Sequence, residues 1–343
     1  MPLPINSISS GGSLNNRSFK AVSIPRKKLI DLYYEMLKIR RYEERIAEVY
    51  AEQEMRCPTH FSIGEEAAAV GVCAALEKGD VIFSNHRCHA HYLAKGGDPR
   101  RMIAELYGRQ TGCTNGKGGS MHLSDESCGM MGASAIVGAS IPLATGAAFA
   151  FMMQNKKNVA VSFFGDAGPE QGVFHESLNF AALKKLPVLF VCENNGYATQ
   201  TPLLKRQAKN NIYQRGRIYG IAGKRTDGNN VLKVYIAAME AVVHCRTRKG
   251  PYLLELMTYR YREHVGPNYD WDLGYRTKSE VEEWMARRDP IEVWRKRLLR
   301  TGVVKQAQLT TMLDKINREV ESNLSKAKAD PLPPDSELLT NVY

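Results

Sequence analysis

Residues 159–197 read VAVSFFGDAGPEQGVFHESLNFAALKKLPVLFVCENNGY, and this stretch decides the fold. Residues 159–164 are a continuous apolar run, the mark of a strand buried on both faces. Gly165-Asp166-Ala167-Gly168 breaks the run sharply. Residues 173–183 place Phe174, Leu178, Ala181 and Ala182 on one helical face, and residues 187–192 form a second apolar run ending at Glu193-Asn194-Asn195-Gly196. Strand, helix, strand at this length is a βαβ unit, so the sheet is parallel and the crossover right-handed. In open α/β sheets ligands bind beyond the carboxyl ends of the strands. Both polar clusters fall at such ends.

Outward from this unit the same reading continues. Helices are predicted over residues 26–56, 64–77, 138–153 and 231–248, with strands over 81–84 and 252–257. Residues 108–120 form a glycine-rich loop. Residues 278–330 are amphipathic and helical, Asp289-Pro290 marks a helix start, and the prolines at 331, 333 and 334 end regular helix. The fold class is α/β, a doubly wound parallel sheet with helical N- and C-terminal additions. Its predicted divisions are a flexible tail (1–25), an α/β domain (26–275) and a helical extension of the same domain (276–343).

The chain has 343 residues, with 43% hydrophobic and 24% charged positions, a globular composition. No run of about 18 apolar residues suggests a membrane span. The net charge of +11 points to anionic partners without choosing among phosphates, carboxylates, an acidic subunit or nucleic acid. No basic, aromatic-interleaved run supports nucleic-acid binding. Seven scattered cysteines without a C-x-x-C pair argue against a disulfide scaffold or zinc site and fit a reducing compartment. The N-terminus has no apolar signal segment. Its acid-free, basic character up to Asp31 has the bias of a transit peptide but no clear amphipathic helix, so the expectation is a cytoplasmic protein rather than one of the mitochondrial matrix.

Asp166 and Asn195 stand 29 residues apart, each just past a strand of the βαβ unit. Adjacent strand ends lie about 5 Å apart, so both side chains can reach one point. A carboxylate, an amide oxygen and a turn carbonyl are hard donors that suit Mg²⁺ or Ca²⁺. Mg²⁺ with few protein ligands completes its shell with phosphate oxygens, and a helix N-terminus after Gly168 would favour the anion. The alternative is an Asp capping a helix and an Asn in a turn.

The joint pattern Gly165-Asp166-Ala167…Asn194-Asn195 resembles the thiamine diphosphate motif. More closely, the chain resembles the α subunit of the first component of 2-oxo-acid dehydrogenase complexes, the family of pyruvate, branched-chain 2-oxo-acid and acetoin enzymes. The landmarks occur in order: Gly64-Glu65-Glu66-Ala67, His86-Arg87-Cys88-His89-Ala90, Gly116-Lys117-Gly118-Gly119-Ser120-Met121-His122, Ile136-Val137-Gly138-Ala139 with Pro142, Tyr259-Arg260-Tyr261…His264, Gly274-Tyr275-Arg276 and Asp289-Pro290.

The resemblance implies the thiamine diphosphate-binding fold, with thiamine diphosphate and Mg²⁺ as cofactors. It implies that Asp166 and Asn195 bind Mg²⁺ by side chain and Tyr197 by its carbonyl. Arg87 and His264 would contact the diphosphate, with His86 where the family has Tyr or His, and Gly165, Ala167 and Gly168 would form the surrounding turn. The backbone near Ala135 and Val137 would meet the aminopyrimidine ring, and His60 would lie on the substrate side. His264 and His60 are the catalytic candidates. The implied partners are a β subunit in an α₂β₂ assembly, which supplies the activating glutamate, a lipoyl acyltransferase component and a small 2-oxo acid. The implied chemistry is attack of the cofactor ylide on the oxo acid, loss of carbon dioxide and transfer of the acyl-level fragment to lipoyl.

Some positions read otherwise. Glu65 and Glu66 read as helix N-terminal charges. His89 and His91 read as ordinary polar residues, His122 is open between the two readings, and Lys117 could meet a phosphate or a partner. Ala167 and Ala135 replace family glycines, with crowding at Ala167 if its φ is positive. Val265 stands where mitochondrial pyruvate enzymes carry a regulatory serine. The unusual segment 266–272 leaves the substrate open. Two other readings are a two-chain transketolase-like or synthase enzyme without lipoyl transfer, and a non-catalytic basic binding protein of this fold.

Overall fold

The computed structural model describes residues 24–340 except Arg56. All but the last two residues of the predicted tail (1–25) lie outside the described residues. Among the described residues eleven α-helices and eight strands follow in chain order. They are α1 (Arg26–Val49), α2 (Glu66–Cys73), β1 (Val81–Ser84), α3 (His89–Lys95), α4 (Pro99–Leu106), β2 (Met130–Ala133), α5 (Ser140–Met153), β3 (Ala160–Gly165), α6 (Gly172–Lys184) and β4 (Val188–Asn194). Then come β5 (Tyr197–Ala198), β6 (Thr201–Pro202), α7 (Leu203–Arg206), β7 (Ala222–Asp227), α8 (Val231–Arg246), β8 (Tyr252–Met257), α9 (Lys278–Arg288), α10 (Pro290–Arg300) and α11 (Gln306–Ala329).

Six strands form one parallel sheet in the order β2-β1-β3-β4-β8-β7, and β5 and β6 make a short antiparallel ribbon. The continuous apolar runs have the expected cause. On β3, Val161 and Phe163 enter one core while Ala160 and Phe164 enter the other. On β4, Leu189 and Val191 face the first core and Val188, Phe190 and Cys192 the second. Helices α1, α2 and α8 contribute to the first core, α5 and α6 to the second. Period-2 alternation with both faces covered is the doubly wound arrangement.

The C-terminal helices are one-sidedly apolar and close over α1 and α4. Trp294 of α10 donates its indole N–H to Leu29 O at 3.0 Å, and Tyr42 of α1 donates to Glu319 of α11 at 3.0 Å. Asp289 starts α10 as predicted, its carboxylate accepting from the backbone N–H groups of Ile291 and Glu292 at 3.0 and 2.9 Å. The predicted span 278–330 is three helices. The expected helices over 26–56 and 64–77 end earlier, at Val49 and Cys73. Strands β2 and β7 have no predicted counterpart, because each is half exposed and glycine-containing rather than an apolar run. Among the described residues no helix is long and apolar enough to cross a membrane, and all seven cysteines are free.

Candidate active site

The chain leaves β1 toward β2 on one side and β3 toward β4 on the other. The crevice between β1 and β3 is therefore the switch point at which open α/β sheets hold ligands. A cavity of about 220 Å³ opens there. β1 delivers His86 and Arg87, the turn after β2 delivers Ala135 and Val137, and β3 delivers Gly165, Asp166, Ala167 and Gly168. The end of β4 adds Asn195 and Tyr197, the segment before α2 adds His60, and the loop after β8 adds His264. All twelve candidate residues line this one cavity.

The two adjacent asparagines divide their work. Asn194 is buried and donates to Glu255 at 2.7 Å, which fixes the strand end. Asn195 faces the cavity, where its Oδ1 accepts from the Tyr197 N–H at 3.2 Å and its Nδ2 donates to Glu65 at 3.2 Å. Tyr197 turns its ring away toward α9, its hydroxyl donating to Glu280 at 2.9 Å. Asp166 is 2% exposed, and Arg206 donates to its carboxylate. Burial pushes the Asp166 carboxyl upward and the Arg206 guanidinium opposes that.

Arg87 is the hub of the opposite wall. It is buried, donates to Phe61 O at 2.6 Å and His264 O at 3.1 Å, and lies 3.5 Å from Glu65. Three imidazoles surround it. The ring centroids of His60 and His86 are 4.5 Å apart, His60 and His264 5.0 Å, and His86 and His264 5.1 Å. Burial first, then the Arg87 charge, pushes His60 down to about 2 and both His86 and His264 to about 3. All three are neutral at pH 7, so each offers one ring N–H donor and one acceptor.

Several expectations need correction. The helix does not start at Gly168: a 3₁₀ turn occupies Gly168–Glu170, and α6 begins at Gly172. Glu65 is no simple helix-end charge. It lines the cavity and accepts from Thr258 at 2.6 Å, and among the described residues its other oxygen is buried without a hydrogen bond. Glu66 is buried in an ion pair with Arg40 at 2.5 Å. Lys117 does not line this cavity and donates to Thr340 O at 2.7 Å. His122 is exposed. His89 and His91 are, as expected, polar core residues, buried with partners on both ring nitrogens: Glu43 and Ser120 for His89, Ser84 and Glu193 for His91.

Sequence reading missed Glu65, Glu193 and Arg206. Glu193 carried a signal, since it closes an apolar strand beside the Asn pair. Nothing local marks Arg206, because its partners are 36 and 40 residues away.

The model of the family described as dehydrogenase E1 component matches residues 34–336. The chain belongs to that family. It is 42% identical over 324 residues to the acetoin:2,6-dichlorophenolindophenol oxidoreductase α subunit of Bacillus subtilis, covering 94% of this chain and 96% of that one. It is 41% identical over 310 residues to the pyruvate dehydrogenase E1 α subunit of Rhizobium meliloti, covering 90% and 88%. With the mitochondrial pyruvate dehydrogenase E1 α type I subunit of Ascaris suum it shares 36% identity over 342 residues, covering 100% and 83%. As an E1 α chain it is one subunit of a thiamine-diphosphate-dependent 2-oxo-acid dehydrogenase that works with a β subunit.

Within this E1 chain the departure at Ala167 is harmless. Its φ is −83°, so a methyl group causes no backbone strain. The close approach is at Gly168, where a Cβ would stand 2.9 Å from the Phe164 ring.

Proposed function

We propose that the cavity at the β1–β3 switch point holds Mg²⁺ and the diphosphate of thiamine diphosphate, and that the chain forms half of the active site of an α₂β₂ enzyme. The observation that carries this is the convergence of Asp166 and Asn195 from one βαβ unit with Arg87 and His264 around a single cavity. The fit is chemical as well as geometric. Asp166, Asn195 and the Tyr197 carbonyl are hard oxygen donors of the kind Mg²⁺ takes. A Cβ at Gly165 would meet nothing within 4 Å, so the turn leaves open space beside them. Among the described residues His60 Nδ1 is buried without a hydrogen-bond partner, a donor or acceptor that a ligand could meet.

When bound, thiamine diphosphate supplies a thiazolium that accepts the electron pair released in decarboxylation. The rest falls to this chain's side chains. Arg87 binds phosphate oxygens with a planar fork held rigid by two backbone carbonyls. His264, neutral and half-buried, would donate a hydrogen bond to the diphosphate and could move a proton there. His86 stands beside both. The backbone near Ala135 and Val137 would hold the aminopyrimidine, and His60 would take the small 2-oxo acid. The β subunit supplies the glutamate that activates the cofactor, and a lipoyl acyltransferase receives the acyl group, its acidic domain attracted by the basic charge. A cytoplasmic location completes this reading.

The experiment is to purify the chain with its β partner and measure reduction of an artificial electron acceptor with 2-oxo acids. Activity that requires thiamine diphosphate, Mg²⁺ and both chains is expected. Carbon–carbon bond formation without acceptor reduction would replace this reading with the synthase one.

A further inference from the structure

Arg206 sits on the carboxylate that a divalent cation would need. It ends α7, its side chain is 12% exposed, and its guanidinium bridges two acids, Nη2 donating to Asp166 and Nη1 to Glu170. Gln207 reinforces the pair, donating to the Asp166 carbonyl at 2.6 Å and to Glu170 at 2.7 Å. Arg206 is also tied to its own segment, its Nε donating to Thr201 O at 3.2 Å. The side chain of Asp166 is 3% exposed, so water screens this contact little. The single charge of the guanidinium is shared between two acids, of which Asp166 is the buried one. A divalent ion on the same carboxylate adds two positive charges within ion-pair distance of the guanidinium.

We propose that Arg206 is a displaceable counter-cation for the metal ligand. It neutralises Asp166 before the ion arrives, and it withdraws onto Glu170 when the ion takes the carboxylate. This rests on the metal-ligand reading of Asp166 given above. Two observations favour exchange over a fixed contact. Glu170 is already a second acceptor on the same guanidinium and is more exposed, at 28% against 3% for Asp166, so the arginine can give up one partner without losing its charge compensation. The displaced segment also matters to the site: α7 follows the β5–β6 ribbon, and that ribbon begins at Tyr197. Metal entry is therefore coupled to the position of the turn that carries the Tyr197 carbonyl. The consequence is weak binding of the bare ion. An anionic diphosphate relieves the repulsion between ion and guanidinium and tightens the ion's binding. Arg206 is a positioning residue, acting on the site through Asp166.

The test is a Mn²⁺ titration of the full chain in its assembly with the β subunit, stripped of cofactor, with free Mn²⁺ read by electron paramagnetic resonance. Arg206→Gln is expected to lower the Mn²⁺ Kd at least about tenfold. Arg206→Lys keeps the wild-type Kd, and Glu170→Gln raises it, because the arginine then loses the second acid onto which it could withdraw. Asp166→Asn abolishes binding. Unchanged or weaker Mn²⁺ binding in folded Arg206→Gln overturns the proposal while the Asp166→Asn result keeps the metal site. Mn²⁺ binding undisturbed by Asp166→Asn removes the metal reading and the role of Arg206 with it. If Arg206→Gln does not fold, Glu170→Gln decides, and wild-type affinity in that variant contradicts the proposal.

Discussion

The two walls of the cavity are built in opposite ways. One wall, Gly165 to Tyr197, is local: two strand ends and the helix between them bring Asp166 and Asn195 together within a single βαβ unit. The other wall is assembled from distant pieces. Backbone bonds from Tyr261 N to Ile63 O at 2.9 Å and from Gly266 N to Thr59 O at 2.8 Å lace the segment before α2 to the loop after β8. Arg87 then clamps both through Phe61 O and His264 O. That loop is itself held by Arg276, which donates to Arg260 O at 2.8 Å and pairs with Asp270. The local wall owes its shape to hydrophobic strands, the assembled wall to a few buried cations on carbonyls.

This difference makes Arg87 the most vulnerable point. Arg87→Ala removes both carbonyl contacts and leaves Glu65 buried without its cation, so a loss of about 3–5 kcal/mol is expected in urea unfolding. A loss below about 1 kcal/mol would show that the assembled wall holds without its clamp. On the local wall the largest effect is at Gly168. Gly168→Ala crowds the Phe164 ring and is expected to cost about 1–3 kcal/mol. Ala167→Gly next to it should cost less than about 1 kcal/mol, through backbone entropy alone.

Acid separates the walls too. The folded-state values of His60, His86 and His264 lie at about 2 to 3, below the ordinary 6.5. Between those limits the unfolded chain binds more protons than the folded one, so stability falls as the pH drops from about 6.5 toward 3. His60→Asn should flatten that slope in thermal melts at stepped pH, and an unchanged slope would mean that this histidine is protonated in the folded state. The smallest expected effect is at Lys117→Ala, within about 0.5 kcal/mol, since among the described residues its ammonium pairs with exposed groups of the C-terminal segment, Thr340 and Glu337.

What the sequence makes legible follows the same division. β3, α6 and β4 fall within a few residues of their predicted spans, because a strand buried on both faces must be an uninterrupted apolar run. The half-exposed strands β2 and β7 carry no such signature. The cavity positions of Asp166 and Asn195 could be anticipated from strand ends and spacing. Those of His60 and His264 came only through family resemblance, since 204 residues separate them and no local pattern joins them. Glu65 and Arg206 escaped because their roles depend on partners far along the chain: Asn195 and Thr258 for the first, Asp166 and Glu170 for the second.

The central claim is that the local wall holds the metal and that Arg87 and His264 of the assembled wall meet it across the diphosphate. Isothermal titration of the α–β assembly with thiamine diphosphate and Mg²⁺, wild type against Asp166→Ala, tests it most directly. The account predicts saturable binding in the wild type and none in the variant, with both proteins folded. Retained affinity in Asp166→Ala would contradict it.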